Sequence, residues 1–274
     1  MATGAGADRK PLDEAALRRG LEFWSSVDVV ESTGSTNADL LARAGLAGSD
    51  RSALIAEHQS GGRGRHGRAW VSPPRAQLAL SVLLRMPGID PVALGWLPVL
   101  AGLAAVDALA GTALVDAQLK WPNDVLIDGR KVAGILAEVV PSSQADAGSL
   151  AVVVGIGLNV SLAEDELPVP HATSLTLARA HVTDRTVLAR ALLDRLAEHW
   201  LRWRESGWSA VELAALYRER CATIGARVRA ELPGGRVLTG TAAGVDESGR
   251  LVIRSDDGTT TEVAAGDVTH LRPE

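Results

Sequence analysis

Between Pro91 and Val106 the chain runs PVALGWLPVLAGLAAV, without one charged residue. The segment is short for a membrane span and contains Pro98 and two glycines, so it reads as a helix buried in a protein core. Burying it calls for a sizeable core. A chain of 274 residues, 46% hydrophobic and 22% charged, can build one, and a wholly disordered chain is excluded. Only nine residues are aromatic; seven are Trp, and Phe23 and Tyr217 stand alone. The core therefore rests on Leu, Val and Ala, and each Trp is worth locating.

Charge is distributed unevenly. The net charge is −5, which disfavours a protein that coats polyanions. From His58 to Ile89 there is no acidic residue, but there are Arg63, Arg65, Arg68, Arg75 and Arg85, which leaves the rest of the chain at −10. One cationic island on an acidic body suits a small anionic ligand. Cys221 is the only cysteine, so neither an intrachain disulfide nor a cysteine zinc cluster is expected. Together with an N-terminus lacking a basic start and apolar core, this places the protein in the cytoplasm, with no membrane partner.

The periodicity predicts a flexible tail over residues 1–10 and a helix from Leu12 to Phe23. Strands follow at Val27–Glu31, Ser52–Glu57, Leu78–Arg85 and Leu150–Asn159. Thr36 with Asp39 resembles a capping box at the start of a short helix that stops at Gly45. Gln118–Trp121 is a strand end broken by Pro122. Asp128-Gly129 between Val125–Ile127 and Lys131–Val139 signals a hairpin with a type I′ turn. Asp184 caps a long helix to about Glu205, and Ser209 with Glu212 opens another to about Arg220. After Cys221 the pattern becomes short β-rich runs divided by Pro233-Gly234-Gly235, Glu247-Ser248-Gly249 and Asp257-Gly258, which predicts a small antiparallel barrel. The expected division is 1–24 as tail and short helix, 25–222 as the main domain and 223–274 as the C-terminal domain.

Four constellations carry chemistry. Gly62-Arg63-Gly64-Arg65-His66-Gly67 satisfies the dinucleotide fingerprint literally. However, Pro73 and Pro74 oppose the helix that fingerprint needs, and the first acid afterwards is Asp90. What remains is a glycine-rich loop whose backbone approaches a ligand closely and whose arginines grip phosphate or carboxylate. Self-repulsion predicts that it is mobile without ligand. A solvated surface loop and an RGG-like RNA loop are the competing readings; the latter lacks interleaved Phe or Tyr. Lys120-Trp121-Pro122-Asn123-Asp124 sets a lysine at a strand end, which is either a ligand contact or a snorkelling edge lysine. Ser35-Thr36-Asn37 is either a polar binding cluster or a helix cap. Gly155-Ile156-Gly157-Leu158-Asn159 reads mainly as a buried strand with close backbone packing.

In this order, STN at 35–37, HQSGGRGRHGRAW at 58–70, KWPNDV at 120–125, KVAGILAE at 131–138 and GIGLNV at 155–160 resemble the biotin protein ligases, over nearly the whole chain. The resemblance implies an α/β (α+β) fold. A catalytic domain with a mixed sheet of the class II synthetase type is followed by a small SH3-like β-barrel. It implies activation of biotin by ATP and Mg²⁺ to biotinyl-5′-AMP, and transfer to a lysine of a biotin carboxyl carrier domain. By residue, it implies that Ser35, Thr36, Asn37 and Gln59 bond the biotin head. Arg63, Gly64 and Arg65 form the gripping loop. Lys120 meets the biotin carboxylate and the reacting phosphate, with Arg65 as its catalytic partner. Gly62, Arg68, Trp70, Asn123 and Asp124 join the nucleotide end; no metal ligand is assigned. His66 stands where the family often has Arg. Only about 27 residues precede the first strand, so no DNA-binding domain, repressor function or DNA partner is expected, and the assembly is expected to be a monomer or a ligand-dependent homodimer.

The chemistry agrees with this resemblance. Two anions, a carboxylate and an α-phosphate, must be brought together, which Lys120 and Arg65 can neutralise. The mixed anhydride must be kept from water, which an ordered 61–68 loop would do, with Ser161–Ser174 as a weaker second lid. The alternatives are a lipoate or octanoate ligase or transferase, a non-catalytic biotin or nucleotide sensor, and a nucleic-acid module. Of the tryptophans, Trp70 and Trp121 belong with the site; Trp96, Trp200, Trp203 and Trp208 read as core or interface, and Trp24 has no assigned role.

Overall fold

Strands β3 (Gln77–Pro87) and β7 (Ser149–Asn159) run antiparallel at the centre of a seven-stranded sheet. In this computed structural model, which describes residues 9–140, 149–232, 234–264 and 267–270, the two strands are apolar on both faces. Alternate residues serve different layers. Leu78, Leu80, Val82, Leu84 and Met86 of β3, with Val152, Val154, Ile156 and Leu158 of β7, face the main core. Leu83, Ala151 and Val153 join a smaller cluster on the opposite face, with Leu40 and Ala44.

The sheet order is β1-β2-β3-β7-β6-β5-β4, with β1 (Ser26–Val30), β2 (Ser52–Ala56), β4 (Ala117–Lys120), β5 (Asp124–Ile127) and β6 (Arg130–Val139). Only β1 and β2 pair in parallel, so the sheet is mixed. The expected hairpin between β5 and β6 is present: Asp128 and Gly129 have φ of 50° and 73°, which is the type I′ requirement.

The apolar stretch that demanded burial obtains it. A 3-10 segment, Pro91–Trp96, leads into α3 (Leu97–Ala108), and a wider turn at Leu109–Ala113 continues it. Among the described residues, Pro91–Ala113 is the one helical run long and apolar enough to cross a membrane, and 67% of its most apolar window is buried inside the fold. It lies between the sheet and helices α4 (Arg185–Glu205) and α5 (Val211–Arg220). The opposite face of the sheet carries α2 (Thr36–Arg43). Residues 227–270 form a separate five-stranded antiparallel sheet, ordered β11-β10-β9-β8-β12, from β8 (Arg227–Glu231), β9 (Val237–Val245), β10 (Leu251–Arg254), β11 (Thr260–Val263) and β12 (Asp267–His270).

Three local expectations are corrected. The helix predicted over Leu12–Phe23 is only α1 (Glu14–Arg18), because Arg19 is extended and Gly20 turns the chain at φ 71°. The cap of α2 is Ser35, which accepts from Ala38 N; Asp39 instead accepts from the Thr33 hydroxyl at 2.6 Å, so Thr36 and Asp39 make no capping box. Helix α5 starts at Val211 behind Ala210, without a side-chain cap. Asp184 does cap α4, accepting from Thr186 N and Val187 N. Of the tail expected over 1–10, residues 1–8 lie outside the described residues.

Hydrogen bonds and an ion pair fasten the N-terminal segment to the rest of the fold. Trp24, left without a role by its sequence, donates its indole N–H to Leu193 O of α4 at 3.2 Å. Arg9 pairs with Glu166 at 2.5 Å, and Leu12 N donates to Glu57 Oε1 at 2.6 Å. Glu57 is itself held by Arg185 of α4 at 2.6 Å, and both side chains are buried. Removing the guanidinium leaves a buried, uncompensated carboxylate. Arg185→Met should cost about 3–5 kcal/mol in urea unfolding, and adding Glu57→Gln should recover much of the loss. Equal stability of Arg185→Met and the parent chain would show that this pair does not hold the segment.

Candidate functional site

Where β3 and β7 pair, two neighbouring rungs of the large sheet carry only small residues on the face that α2 covers. In the first, Ser81 of β3 pairs with Gly155 of β7, which pairs with Leu136 of β6. In the second, Ala79 pairs with Gly157, Gly157 with Gly134, Gly134 with Asp124, and Asp124 with Lys120. Residues two apart on a strand share a face, so the rungs lie side by side, roughly 7 Å apart. They floor a cavity of about 480 Å³, the size of a small-molecule site.

The glycines are needed for close approach. A Cβ on Gly155 would overlap Asn37 Oδ1, and one on Gly157 would stand 2.5 Å from the Trp70 indole. Asn37 therefore rests on the first rung and Trp70 on the second. The sequence pointed to close backbone packing at 155–157 but not to what packs there.

The first rung is neutral and polar. Gln59 Oε1 accepts from both Thr36 N (2.8 Å) and Thr36 Oγ1 (2.9 Å). Thr36 Oγ1 lies 2.6 Å from Ser81 Oγ, and Ser81 donates to Asn37 Oδ1 at 2.6 Å. Asn37 Nδ2 donates to Leu136 O at 3.2 Å and to Glu138 Oε2 at 2.7 Å. Ser35 lines the cavity beside them. Ser81 was missed by motif reading; its signal is a lone hydroxyl inside the apolar strand QLALSVLLRM.

The second rung is aromatic and charged. Trp70 is pinned by donation to Gln77 Oε1 at 2.5 Å, and Lys131 Nζ stands 5.3 Å from its ring centroid. Lys131 also pairs with Asp124 Oδ1 at 2.5 Å. Lys120, at the end of β4, lines the cavity on this rung. Asn123 donates from Nδ2 to Ile135 O at 2.7 Å, bracing the turn after Lys120 against β6.

The Gly/Arg loop closes over this end as a small hairpin. Gly64 N donates to Arg68 O at 2.7 Å, and Trp70 N to Gly62 O at 2.9 Å. Arg63, Gly64, Arg65, Arg68 and Trp70 line the cavity. Gly62 does not. It backs onto the Trp70 carbonyl, where a Cβ would stand only 2.5 Å away. His66 points into solvent at φ 57°. The island's other two arginines serve the fold: Arg75 pairs with Glu31 at 2.8 Å, and Arg85 donates to Ala44 O at 2.8 Å.

A second wall comes from the segment that follows β7. Pro168, Val169, His171 and Ala172 line the cavity. Two backbone hydrogen bonds of 2.8 Å, Lys131 N to His171 O and Thr173 N to Lys131 O, tie this wall to β6. Burial lowers the His171 pKa, Lys120 and Lys131 lower it further, and Asp124 opposes them, so its imidazole is neutral at pH 7. Glu231 and Val268 of the C-terminal sheet complete the lining.

Trp121 is buried and also borders the cavity, but its indole N–H points to the C-terminal sheet and donates to Gly249 O at 3.1 Å. Trp96 does the same to Glu247 O at 2.8 Å. These two indoles hold one turn of the C-terminal sheet against the large sheet's edge.

The sequence profile of the biotin/lipoate A/B protein ligase family matches residues 29–159, and that of the biotin protein ligase C-terminal domain matches residues 223–271. The chain is 48% identical over 272 residues to the biotin–[acetyl-CoA-carboxylase] ligase of Mycobacterium tuberculosis, covering 96% of this chain and 97% of that one. It is 32% identical to the bifunctional ligase/repressor BirA of Escherichia coli, over 84% of this chain and 70% of that protein. Among solved structures, the Aquifex aeolicus biotin protein ligase in complex with biotin and ATP superposes with a TM-score of 0.70 at 28% identity, covering 90% of this chain and 99% of that one.

Two outcomes follow from the rung geometry. Gly157→Ala should expel Trp70 from the sheet, shift the tryptophan emission and cost about 1–3 kcal/mol from overpacking, read by fluorescence and urea unfolding. Unchanged emission would place the indole elsewhere. In an NMR titration His171 should titrate below the ordinary histidine range, and Lys131→Met, by removing a positive neighbour, should raise its pKa.

Proposed function

The chain belongs to the biotin protein ligases, and on that premise we propose that it joins biotin to ATP and then biotinylates a lysine of a biotin carboxyl carrier domain. The observation that carries this reading is the pairing of the two rungs in one cavity. A neutral hydrogen-bonding end suits a ureido ring, and an aromatic, cationic end beside it suits an adenylate.

In this reading Ser35, Thr36, Asn37 and Gln59 take the biotin head, with Ser81 as a further member of that cluster. The valeryl chain then runs along the glycine floor toward the second rung and brings its carboxylate to Lys120. Trp70 offers its face to adenine. Arg63, Gly64, Arg65 and Arg68 close over the phosphates, Gly62 and Asn123 hold the loop base and the turn, and Asp124 balances Lys131.

The first step joins one carboxylate oxygen to the α-phosphorus and breaks the bond to the β-phosphate oxygen, releasing pyrophosphate. Lys120 and Arg65 neutralise the approaching anions and the charge spread over the transferring phosphoryl group, while the cavity holds the reactants in line. In the second step the neutral amine of the acceptor lysine attacks the anhydride carbonyl. AMP leaves with the bonding electrons, and the amine's proton passes to solvent. No enzyme nucleophile takes part. The loop hairpin keeps water from the anhydride.

Mg²⁺ accompanies ATP in this chemistry, but the donors present do not make a cage for it. Among the described residues no group of three or more His, Cys, Asp or Glu stands together. Of the two carboxylates at the cavity, Asp124 is engaged by Lys131 and Glu231 by Arg229. Any ion therefore arrives on the phosphates. The single cysteine, Cys221, is free and buried, which supports a cytoplasmic setting.

A lipoate ligase would share the profile over residues 29–159, whereas the profile over 223–271 is that of the biotin protein ligases. The cluster Gln59–Thr36–Ser81–Asn37 favours biotin, because its polar surface offers a ureido ring hydrogen-bond partners that an acyl chain cannot use. Calorimetry should show binding of biotin and none of lipoate. Lys120→Ala and Arg65→Ala should each lower biotin-dependent pyrophosphate exchange by about 10²–10³-fold while the urea midpoint stays in place. Near-normal exchange by both variants would remove these residues from the reaction.

A further inference from the structure

We propose that Arg9, in the segment before the first strand, is a positioning residue for the adenylate end of the cavity: it clasps the turn Glu164–Glu166 and so sets the wall at 168–172 beside the charged rung. This rests on the biotin ligase reading above and deepens it by naming what retains the intermediate.

One guanidinium reaches both ends of the stretch that follows β7. Arg9 Nε donates to Ser161 Oγ at 3.1 Å, and Nη2 donates to Ser161 O at 3.0 Å and to Glu166 Oε2 at 2.5 Å. Glu166 closes the turn from the other side. Its Oε2 also accepts from Ala163 N at 2.9 Å, and its own N–H donates to Ala163 O at 3.1 Å. The Arg9 side chain is only 9% exposed, so water competes little for this pair. Burial pushes the Glu166 carboxyl pKa up, but the Arg9 guanidinium and the Ala163 N–H outweigh it and leave the group below its ordinary value. The pair is therefore charged at neutral pH.

Arg9 pulls from a fixed base. Lys10 O accepts from Arg185 Nη2 of α4 at 2.6 Å, Leu12 N donates to Glu57 Oε1 just after β2 at 2.6 Å, and Asp13 N donates to Thr186 Oγ1 at 3.0 Å. The backbone on the far side of Arg9 is thus tied to the body of the domain, and the side chain carries that hold across to the turn.

The wall needs an anchor at this place. Its downstream end is tied to β6, but those backbone bonds begin at His171. Its upstream end leaves β7 at Ser161, whose N–H donates to Ala76 O at 2.9 Å. Between them, Arg130 pairs with Glu164 at 2.9 Å, but that pair is exposed and worth little. The buried Arg9–Glu166 contact stands two residues before Pro168, where the cavity lining starts. Lys120, Lys131 and Asp124 all act on His171, so this wall borders the charged rung. Loosening it should release an adenylate and leave a biotin head on the first rung undisturbed.

The test uses the full chain and measures dissociation of added biotinyl-5′-AMP, KM for ATP, calorimetric affinity for biotin alone, and the urea midpoint. Arg9→Met keeps the apolar stem and loses the guanidinium. It should speed adenylate dissociation roughly 10-fold, the worth of one charge-assisted contact, and raise KM for ATP, with biotin affinity unchanged. Glu166→Gln weakens the same contact and should speed dissociation in the same direction, which decides the matter if Arg9→Met does not fold. The double variant should be no faster than Arg9→Met, because both changes remove one shared interaction. Asp107→Asn disturbs the contacts with His199 and Arg220, none of which lines the cavity, and should leave dissociation at the parent rate.

The proposal is overturned if Arg9→Met, or Glu166→Gln in its place, holds the adenylate as the parent does. It is also overturned if biotin alone weakens as much as the adenylate, if the two changes act additively, or if Asp107→Asn speeds dissociation equally for the same fall in midpoint. A parent protein that forms no adenylate from biotin and ATP would instead defeat the functional reading.

Discussion

The central strands have to satisfy two layers at once, and the site exists because of how they do it. Alternate residues of β3 and β7 are large and apolar on the side of α3, where Leu80, Val82, Val154 and Ile156 are almost wholly buried. On the other side they shrink to Ala79, Ser81, Gly155 and Gly157. A helix with no polar face, such as α3, stabilises the fold only if the sheet covers it completely. That demand fixes the register of the strands, and the register brings the small residues into line across neighbouring rungs. The cavity floor is therefore the reverse side of the main core. A one-residue slip would send Ser81 into the apolar layer and a leucine into the cavity.

The charges at the second rung show a similar economy. Trp70, Lys131 and Asp124 hold one another in place beside Lys120, and the loop arginines stand over them. This concentrates positive charge where the carboxylate and phosphate groups are brought together, and the neighbouring lysines help to keep His171 neutral. The contrast with the uncharged first rung gives the cavity a direction. One end recognises by hydrogen-bond geometry, the other by charge and stacking.

Two indoles anchor one turn of the C-terminal sheet, whose apolar residues join the main core. Trp96 and Trp121 reach the carbonyls of Glu247 and Gly249, and Trp121 N donates to the Thr223 hydroxyl at 3.0 Å. Because Trp121 follows Lys120 directly, the same few residues set the end of β4, border the cavity and anchor the second sheet. Glu231 and Val268 enter the cavity lining through this docking.

Much of this was legible in the residues. The buried helix, the β5–β6 hairpin with Asp128-Gly129, the Asp184 cap and the change of pattern after Cys221 follow from local rules, because a turn or cap is decided by residues within a few positions of one another. The motifs named the family and, Gly62 apart, placed their proposed site residues from Ser35 to Asp124 on one cavity. Local rules failed where tertiary contacts outweighed them. Asp39 left a capping box for Thr33, Trp121 turned toward another sheet, Gly62 closed a loop, and Arg75 and Arg85 left the cationic island for the fold. Composition determined that such a chain needs a large apolar core and one cationic loop. Only the tertiary structure decided that Ser81, Gly155 and Leu136, far apart in the chain, share a rung, and that Glu138 reaches Asn37 across it, because strand register is set by the packing of the opposite face.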